Sequence, residues 1–360
     1  MFQAARMSGE RTEGDDAEFA PPGPGRGLAS RIAAARKVAV FRALKLGDML
    51  CAVPALRALR AGLPDSEIVL VGLPWAREFA ARFTAHIDGF REFPGHPGLP
   101  ERTPAPGEIE RFFGRMEGEG FDLALQMHGS GVVSNGVTAG FGAGLVAGFL
   151  APGHPPPGPG LFVDYPSRGL ESRRLLALVE AMGIPSRGDH LEFPISEEER
   201  GRAATLLADR GLAGRPFACV HPGASVPERR WPSDRFAAVA DALAERGLAV
   251  VLTGSADEAW LTREVMGRMK SPAVDLAGAT PIGELGAVIA ASRILVCNDT
   301  GVSHVADGLR APSVVISTGD NPARWAPVDR GLHRVLCRES GVAVEDVVAE
   351  AARLLARDDI

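Results

Sequence analysis

Apolar and polar positions along the chain follow two rhythms. Short apolar runs at residues 37–42, 68–71, 121–127, 145–149, 217–220, 248–253, 274–276, 294–297 and 314–317 suit strands covered on both faces. Between them, apolar residues recur three and four positions apart over 48–59, 75–83, 109–116, 170–182, 196–210, 233–246, 257–269 and 282–291, and again at Val302, Val305, Ala306 and Leu309. That spacing predicts helices with one buried face. Residues 90–107 are rich in Pro and Gly and give little signal, and 152–160 read as a loop. The alternation of strand and helix occurs twice, on either side of a Pro-flanked stretch at 185–194. It predicts an α/β fold of two Rossmann-like, doubly wound parallel sheets facing a cleft.

The expected boundaries follow. Residues 36–188 form the first unit, 195–340 the second, and 341–360 a closing amphipathic helix. Residues 1–30 mix charge with Pro and Gly and lack the apolar core of a signal peptide, so they read as a disordered tail. The uncharged run 129–153 is long enough to span a bilayer, but its glycines and polar residues fit a helix, a turn and a strand better.

Composition removes several function classes. A net charge of −6 argues against a general nucleic-acid affinity, so any anion site must be a local cluster. Cys51, Cys219, Cys297 and Cys337 lie far apart without a C-x-x-C pair. They read as buried thiols of a reducing cytoplasm, not as a disulfide frame or a zinc site. The histidines form no H-x-x-x-H or H-E-x-x-H pattern, and no metal or cofactor is expected.

Ligands of doubly wound folds bind at the carboxyl ends of the strands, and the unusual polar residues fall there: Asp48, His128, His221, Gly254 and Asp299. The segment 294–304 is an apolar run, then Asn298-Asp299-Thr300-Gly301, then a helix carrying His304. Thr300 or Asp299 suits the N-cap, and free N–H groups at that helix start suit a diphosphate. Gly301 admits a ligand close to the backbone. The loop 221–232 joins His221 and Ser225 to Arg229 and Arg230, whose planar forks suit phosphate oxygens. After the Gly254 turn, Asp257 and Glu258 read either as carboxylates for ribose hydroxyls or as the acids expected at a helix start. Asp48 stands at the first strand-to-helix turn, as an N-cap or as a carboxylate able to take a proton from a hydroxyl. The first strand lacks G-x-G-x-x-G, which argues against a dinucleotide cofactor. In the turn 320–325, Arg324 or Trp325 is placed to line the cleft.

Together these pieces resemble glycosyltransferase family 9, the ADP-heptose:lipopolysaccharide heptosyltransferase family. The motifs are Leu46-Gly47-Asp48 with Pro54-Ala55-Leu56-Arg57, His221-Pro222-Gly223-Ala224-Ser225 with Arg230-Trp231-Pro232, Asn298-Asp299-Thr300-Gly301 with His304, and Pro322-Ala323-Arg324-Trp325. The resemblance covers roughly residues 36–330 and implies the two-domain GT-B fold, with the acceptor on the first half and the nucleotide sugar on the second. It implies Asp48 as base, Glu258 near the ribose, and Asp299, Thr300, Gly301 and His304 at the diphosphate. Where the family usually has a lysine, this chain has Arg229, which keeps the charge but cannot donate a proton as an acid. Lys45 replaces a residue that is often serine in the family, and with His128 and Ser130 it belongs to the acceptor side.

The reaction expected is an inverting, metal-independent transfer of a sugar, heptose from ADP-heptose foremost, to a lipopolysaccharide core or another surface glycan. The protein is expected in the cytoplasm, or peripheral at the cytoplasmic face of the inner membrane. Arg57, Arg60, Arg77 and Arg82 would then either meet an acidic or membrane-borne acceptor or form solvated helix faces. Two rival readings share the architecture: a sugar-nucleotide epimerase, which needs no acceptor, and a nucleotide-sugar-binding protein without transfer activity.

Overall fold

The computed structural model describes residues 23–319, 321–338 and 340–357. Two six-stranded sheets organise it. The first contains β1 (Lys37–Phe41), β2 (Glu67–Gly72), β3 (Gly89–Glu92), β4 (Leu123–Gln126), β5 (Leu145–Leu150) and β6 (Gly160–Asp164), in the order β3-β2-β1-β4-β5-β6. The second contains β7 (Phe217–His221), β8 (Ala249–Leu252), β9 (Ala273–Asp275), β10 (Ile294–Asn298), β11 (Ser313–Ile316) and β12 (His333–Leu336), in the order β12-β11-β10-β7-β8-β9. Every pairing is parallel. The two orders are the same pattern, so each sheet reverses direction beside its own first strand, between β1 and β4 and between β7 and β10. A crevice opens at that reversal, at the carboxyl ends of the strands.

The central strands behave as their apolar runs predict. β4, β7, β10 and β11 are buried at every position. β3, β6 and β12 were not marked by any apolar run. Each lies at the rim of a sheet, an edge strand with mixed burial. An edge strand has one neighbour and less cover, so nothing selects a continuous apolar run there. The expected loop at 152–160 ends where β6 begins, and the 90–107 stretch starts inside β3. The uncharged run 129–153 folds as the helix Ser134–Ala139, a turn, and β5.

Three local expectations need correction. The tail does not extend to residue 30: a helix covers Arg26–Ala33 because Ile32 is buried in the core and Arg31 donates to the Gly144 carbonyl at 2.6 Å. Residues 1–22 of the expected tail lie outside the described residues. The helix predicted from Asp48 onward is two helices, Leu46–Leu50 and Val53–Gly62, and Lys45, not Asp48, occupies the N-cap of the first. Pro54 sits in the first turn of the second helix, where its missing N–H costs nothing and its ring forbids a continuous helix from 46. Arg174, which the periodicity over 170–182 puts on the polar side of its helix, is buried: its Nε donates to the Arg168 carbonyl at 3.0 Å and its guanidinium lies 5.5 Å from the Tyr165 ring.

Cys51, Cys219 and Cys297 are buried and Cys337 is exposed. Among the described residues no helix is long and apolar enough to cross a membrane. Leu125 is fully buried in β4, whereas Val132, just beyond that strand, is 56 % exposed. Leu125→Ala should therefore cost about 2–5 kcal/mol and lower the thermal midpoint. Val132→Ala should stay within about 0.5 kcal/mol of the parent in the same melting experiment.

Candidate functional site

The two crevices face each other and merge into one cavity of about 650 Å³. From the first lobe come Lys45, Leu46, Gly47 and Asp48, at the start of the short helix after β1. From the second come His221, Ser225, Arg229 and Arg230 after β7, Glu258 after β8, and Asp299, Thr300, Gly301 and His304 after β10. The candidate residues read from four separate stretches of sequence thus share one space, with two exceptions. His128 and Ser130 do not line it.

Close approach of two glycines joins the halves. A Cβ on Gly301 would lie 3.4 Å from the Gly47 nitrogen, and a Cβ on Gly47 would lie 2.8 Å from His304 Cδ2. Two helix starts from different lobes therefore meet almost backbone to backbone. This puts Asp48, the residue after Gly47, on the same cavity as the start of the Gly301–Leu309 helix. Thr300 is the N-cap of that helix, in extended conformation, and its side chain makes no capping hydrogen bond. The first N–H groups of a helix have no partner within it, so this end offers donors to an anion.

The loop after β7 is held by Asn298, a residue the sequence reading quoted without a role. Its side-chain amide donates to the Pro222 carbonyl at 2.8 Å, and its Oδ1 accepts the Trp231 N–H at 3.0 Å. One buried side chain thus ties both ends of the loop to β10. Between those ends, Pro227–Arg229 form a short 3-10 turn that carries Arg229 to the cavity. Arg230 donates through Nε to the Ala224 carbonyl at 2.9 Å and lies 5.7 Å from the Trp260 ring. Glu258 closes a capping box with Ser255, accepting its N–H at 2.9 Å. Its carboxylate also occupies the space that a side chain at residue 223 would need, which explains Gly223.

Burial decides the charge states. Desolvation pushes the His304 imidazole down to about 4, with Glu171 opposing. His221 is also lowered by burial, against Glu258, and its Nδ1 lies 3.0 Å from the Thr253 hydroxyl. Both rings are disfavoured as cations, which leaves Lys45, the arginines and the helix start as the positive elements. His304 is turned toward the first lobe, with Nδ1 3.9 Å from Cys51 Sγ. Asp48 is raised above its ordinary value by burial; Arg42 and Arg324 oppose this and Glu171 adds to it.

His128 is a strut. It is buried, stacks on Phe41 at 5.1 Å, and accepts the Ala43 N–H on Nδ1 at 3.2 Å. Burial lowers it to about 4, with Arg42 adding to the effect. Its tie to Ala43 braces the loop that leads to Lys45 and Asp48. The sequence reading missed Arg42 and Glu171, both buried and paired at 3.2 Å beneath Asp48. An arginine ending an otherwise apolar strand was the available signal for Arg42. Glu171 had none, because an acid at a helix start is expected anyway. Of the pair flagged in the 320–325 turn, Trp325 lines the cavity and Arg324 reaches Glu171 at 3.0 Å; Asp320 lies outside the described residues.

Each of the four first-lobe arginines has a carboxylate partner, and Arg77 is the most exposed of them. Arg57 pairs with Glu192 and Arg60 with Asp88; Arg82 lies 2.6 Å from Glu199 and Arg77 3.9 Å from Glu92. Among the described residues no group of three or more His, Cys, Asp or Glu is arranged to hold a metal ion.

The glycine contact generates a direct test. Gly47→Ala must push the His304 ring away and separate the lobes at the cavity. Turnover should fall by about 100-fold for a displacement near 1 Å, while the melting temperature moves little. Normal turnover by this variant would mean that the contact is not needed.

Comparison with known proteins gives the family and the fold. The family described as glycosyltransferase family 9 (heptosyltransferase) matches residues 109–344. Asp48 precedes that span. Lipopolysaccharide heptosyltransferase 2 of Salmonella typhimurium is 25 % identical over 312 residues, covering 81 % of this chain and 85 % of that protein. A glycosyltransferase family 9 structure from Veillonella parvula superposes with a TM-score of 0.76 at 21 % identity, over 89 % of this chain and 97 % of the other. The E. coli ADP-heptose lps heptosyltransferase II structure gives 0.71 at 21 % identity, over 90 % and 100 %. The fold is the two-domain, Rossmann-like GT-B arrangement, and the chain belongs to glycosyltransferase family 9 as a glycosyltransferase.

Proposed function

We propose that the protein transfers heptose from ADP-heptose to a lipopolysaccharide core acceptor, with inversion at the anomeric carbon and without a metal ion. One observation carries the reading: Asp48 of the first lobe and the Gly301–Leu309 helix start of the second line the same cavity. The sugar and the acceptor class are those in the names of its relatives, the heptosyltransferases of Salmonella typhimurium and E. coli.

In this reading the donor lies on the second lobe. Its diphosphate meets the N–H groups at Thr300 and Gly301, with Arg229 and Arg230 on the facing loop; its ribose lies toward Glu258. His221, Ser225, Asp299 and His304 shape the walls. An acceptor hydroxyl enters from the first lobe, beside Asp48 and Lys45. Asp48 takes the hydroxyl proton as the oxygen bonds to the anomeric carbon. The bond from that carbon to the diphosphate breaks, and its electron pair leaves with the nucleoside diphosphate. The sugar passes through an oxocarbenium-like state, as glycosyl transfers do. One displacement from the face opposite the leaving group inverts the centre. Arginine and helix N–H groups meet the growing phosphate charge, each such contact being worth roughly 3–4 kcal/mol. That replaces the usual service of a divalent cation.

Raised by burial, Asp48 is suited to this work: a base closer to neutral pH accepts a proton more readily. Asp48→Asn should fold and bind nucleotide yet lose turnover by at least about 100-fold, measured as ADP release with acceptor present. Undiminished release would remove Asp48 from this role. The parent should consume donor only when acceptor is supplied; change of the sugar in donor alone would favour an epimerase, and no consumption with any acceptor a binding protein. Arg229→Ala should weaken ADP binding by about 10- to 100-fold in calorimetry. Equal affinity would show that this loop does not reach the phosphates.

A further inference from the structure

Three lysine and arginine side chains line the cavity: Arg229 and Arg230 from the second lobe, and Lys45 from the first. Both arginines have partners within the protein, Arg230 at the Ala224 carbonyl and over the Trp260 ring. The exposed Lys45 ammonium makes no hydrogen bond or ion pair among the described residues. Its main chain is held nonetheless. Lys45 is the N-cap of the helix Leu46–Leu50, its carbonyl accepts the Met49 N–H at 2.9 Å, and its own N–H faces the Asp48 carboxyl. An exposed lysine needs no partner, since water solvates it; what singles this one out is where it stands.

The glycine contact fixes that place. A Cβ at residue 301 would lie 3.4 Å from the Gly47 nitrogen, 3.4 Å from Leu46 Cβ and 3.5 Å from Leu46 Cδ2. Residues 46 and 47 thus rest on the first turn of the Gly301–Leu309 helix. Lys45 is the next residue outward, its Cα about 3.8 Å from that of Leu46. A lysine side chain extends roughly 6 Å from its Cα. The ammonium can therefore stand in front of the Thr300 and Gly301 N–H groups, in the space given above to the diphosphate. Of the two phosphates, the one bonded to the sugar lies nearer the first lobe, because that sugar must reach Asp48. Lys45 and Asp48 belong to one helical turn, so a cation and the base enter the cavity side by side.

We propose that Lys45 is a catalytic residue of the transfer: its ammonium crosses the cleft to an oxygen of the donor's sugar-bearing phosphate and meets the negative charge that builds there as the glycosidic bond breaks. This rests on the transfer reading above, and it moves Lys45 from the acceptor, where the family resemblance puts it, to the leaving group. The electron pair of the broken bond goes to the phosphate oxygen. The ammonium keeps its protons and donates a hydrogen bond, which strengthens as that oxygen gains charge.

The test uses the full chain and compares the parent with Lys45→Ala, Lys45→Arg and Arg77→Ala. Arg77 is an exposed first-lobe cation that does not line the cavity, so it controls for general charge. Calorimetry sets ADP against AMP, which lacks the phosphate that carries the sugar. In Lys45→Ala the preference for ADP over AMP should fall about tenfold with AMP affinity kept. Lys45→Arg should restore most of it, and Arg77→Ala should leave it unchanged. Turnover should fall about 100-fold in Lys45→Ala, with acceptor KM changed less than about threefold. An unchanged preference for ADP would overturn the proposal, as would an equal loss in Arg77→Ala. A rise in acceptor KM with kcat and ADP affinity kept would overturn it too, and return Lys45 to the acceptor. The nucleotide readout involves neither acceptor nor base, so it is separate from the outcome for Asp48→Asn. A parent that binds neither ADP nor AMP would overturn the nucleotide-sugar reading and this proposal together.

Discussion

Everything in this molecule that reads as chemistry depends on two helix starts touching across a cleft without side chains between them. Gly47 follows β1 and Gly301 follows β10, each at the point where its own sheet reverses direction. A parallel sheet gathers its ligand-facing loops at that point. Two sheets of the same order, set face to face, therefore present two such points to each other. A Cβ at residue 47 would run into the His304 ring, whereas one at residue 301 would just touch the Gly47 backbone, so the approach is closest to its limit on the first-lobe side. Asp48 is one residue from the first glycine and Thr300 one residue from the second, so the contact sets how far a carboxylate lies from an anion-binding helix end.

The connecting segment repeats the device. A Cβ on Gly283 would lie 1.7 Å from Glu199 Oε1, on Gly286 2.6 Å from the Phe193 ring, and on Gly308 2.7 Å from the Glu192 carbonyl carbon. Three glycines on second-lobe helices form notches for residues 192–199. First-lobe side chains clamp the same stretch: Arg57 and His86 on Glu192, and Arg82 on Glu199 and the Pro194 carbonyl. The link between lobes is thus wedged on one side and ion-paired on the other. This gives Arg57 and Arg82 a structural employment.

Charge in the site is divided by kind. Desolvation disfavours protonation of His221, His304 and His128. Arginine stays charged under the same burial, because its unperturbed pKa is far above neutral. The positive elements near the diphosphate position are accordingly Lys45, arginines and backbone N–H groups. The carboxylates Asp48 and Glu171 lie close together but differ: Glu171, between two guanidinium groups, is driven to the ionised form, while Asp48 is left nearer its protonated form. A pair of acids pushed apart in this way separates a structural role from a proton-accepting one.

What the amino-acid order determined by itself was everything with a local cause. Buried central strands must be apolar throughout, helices must keep one apolar face, and strand ends carry the polar residues; hence the parallel sheets and the stretches around Asp48, His221, Glu258 and Asp299 were legible. The family motifs extended that to a shared site, because four short patterns in a fixed order rarely coincide. What tertiary structure decided had its cause far away in the chain. β3, β6 and β12 exist because a neighbouring strand offers an edge, and nothing in their own residues requires it. His128 has the type and place of a site residue, but Phe41 and Ala43 claim it as a brace. Glu171 looks like an ordinary helix-start acid until Arg42, far upstream, and Arg324, far downstream, close on it. Spacing along a sequence reports faces of single elements; it carries no information about which two elements will meet, and the site is built where they do.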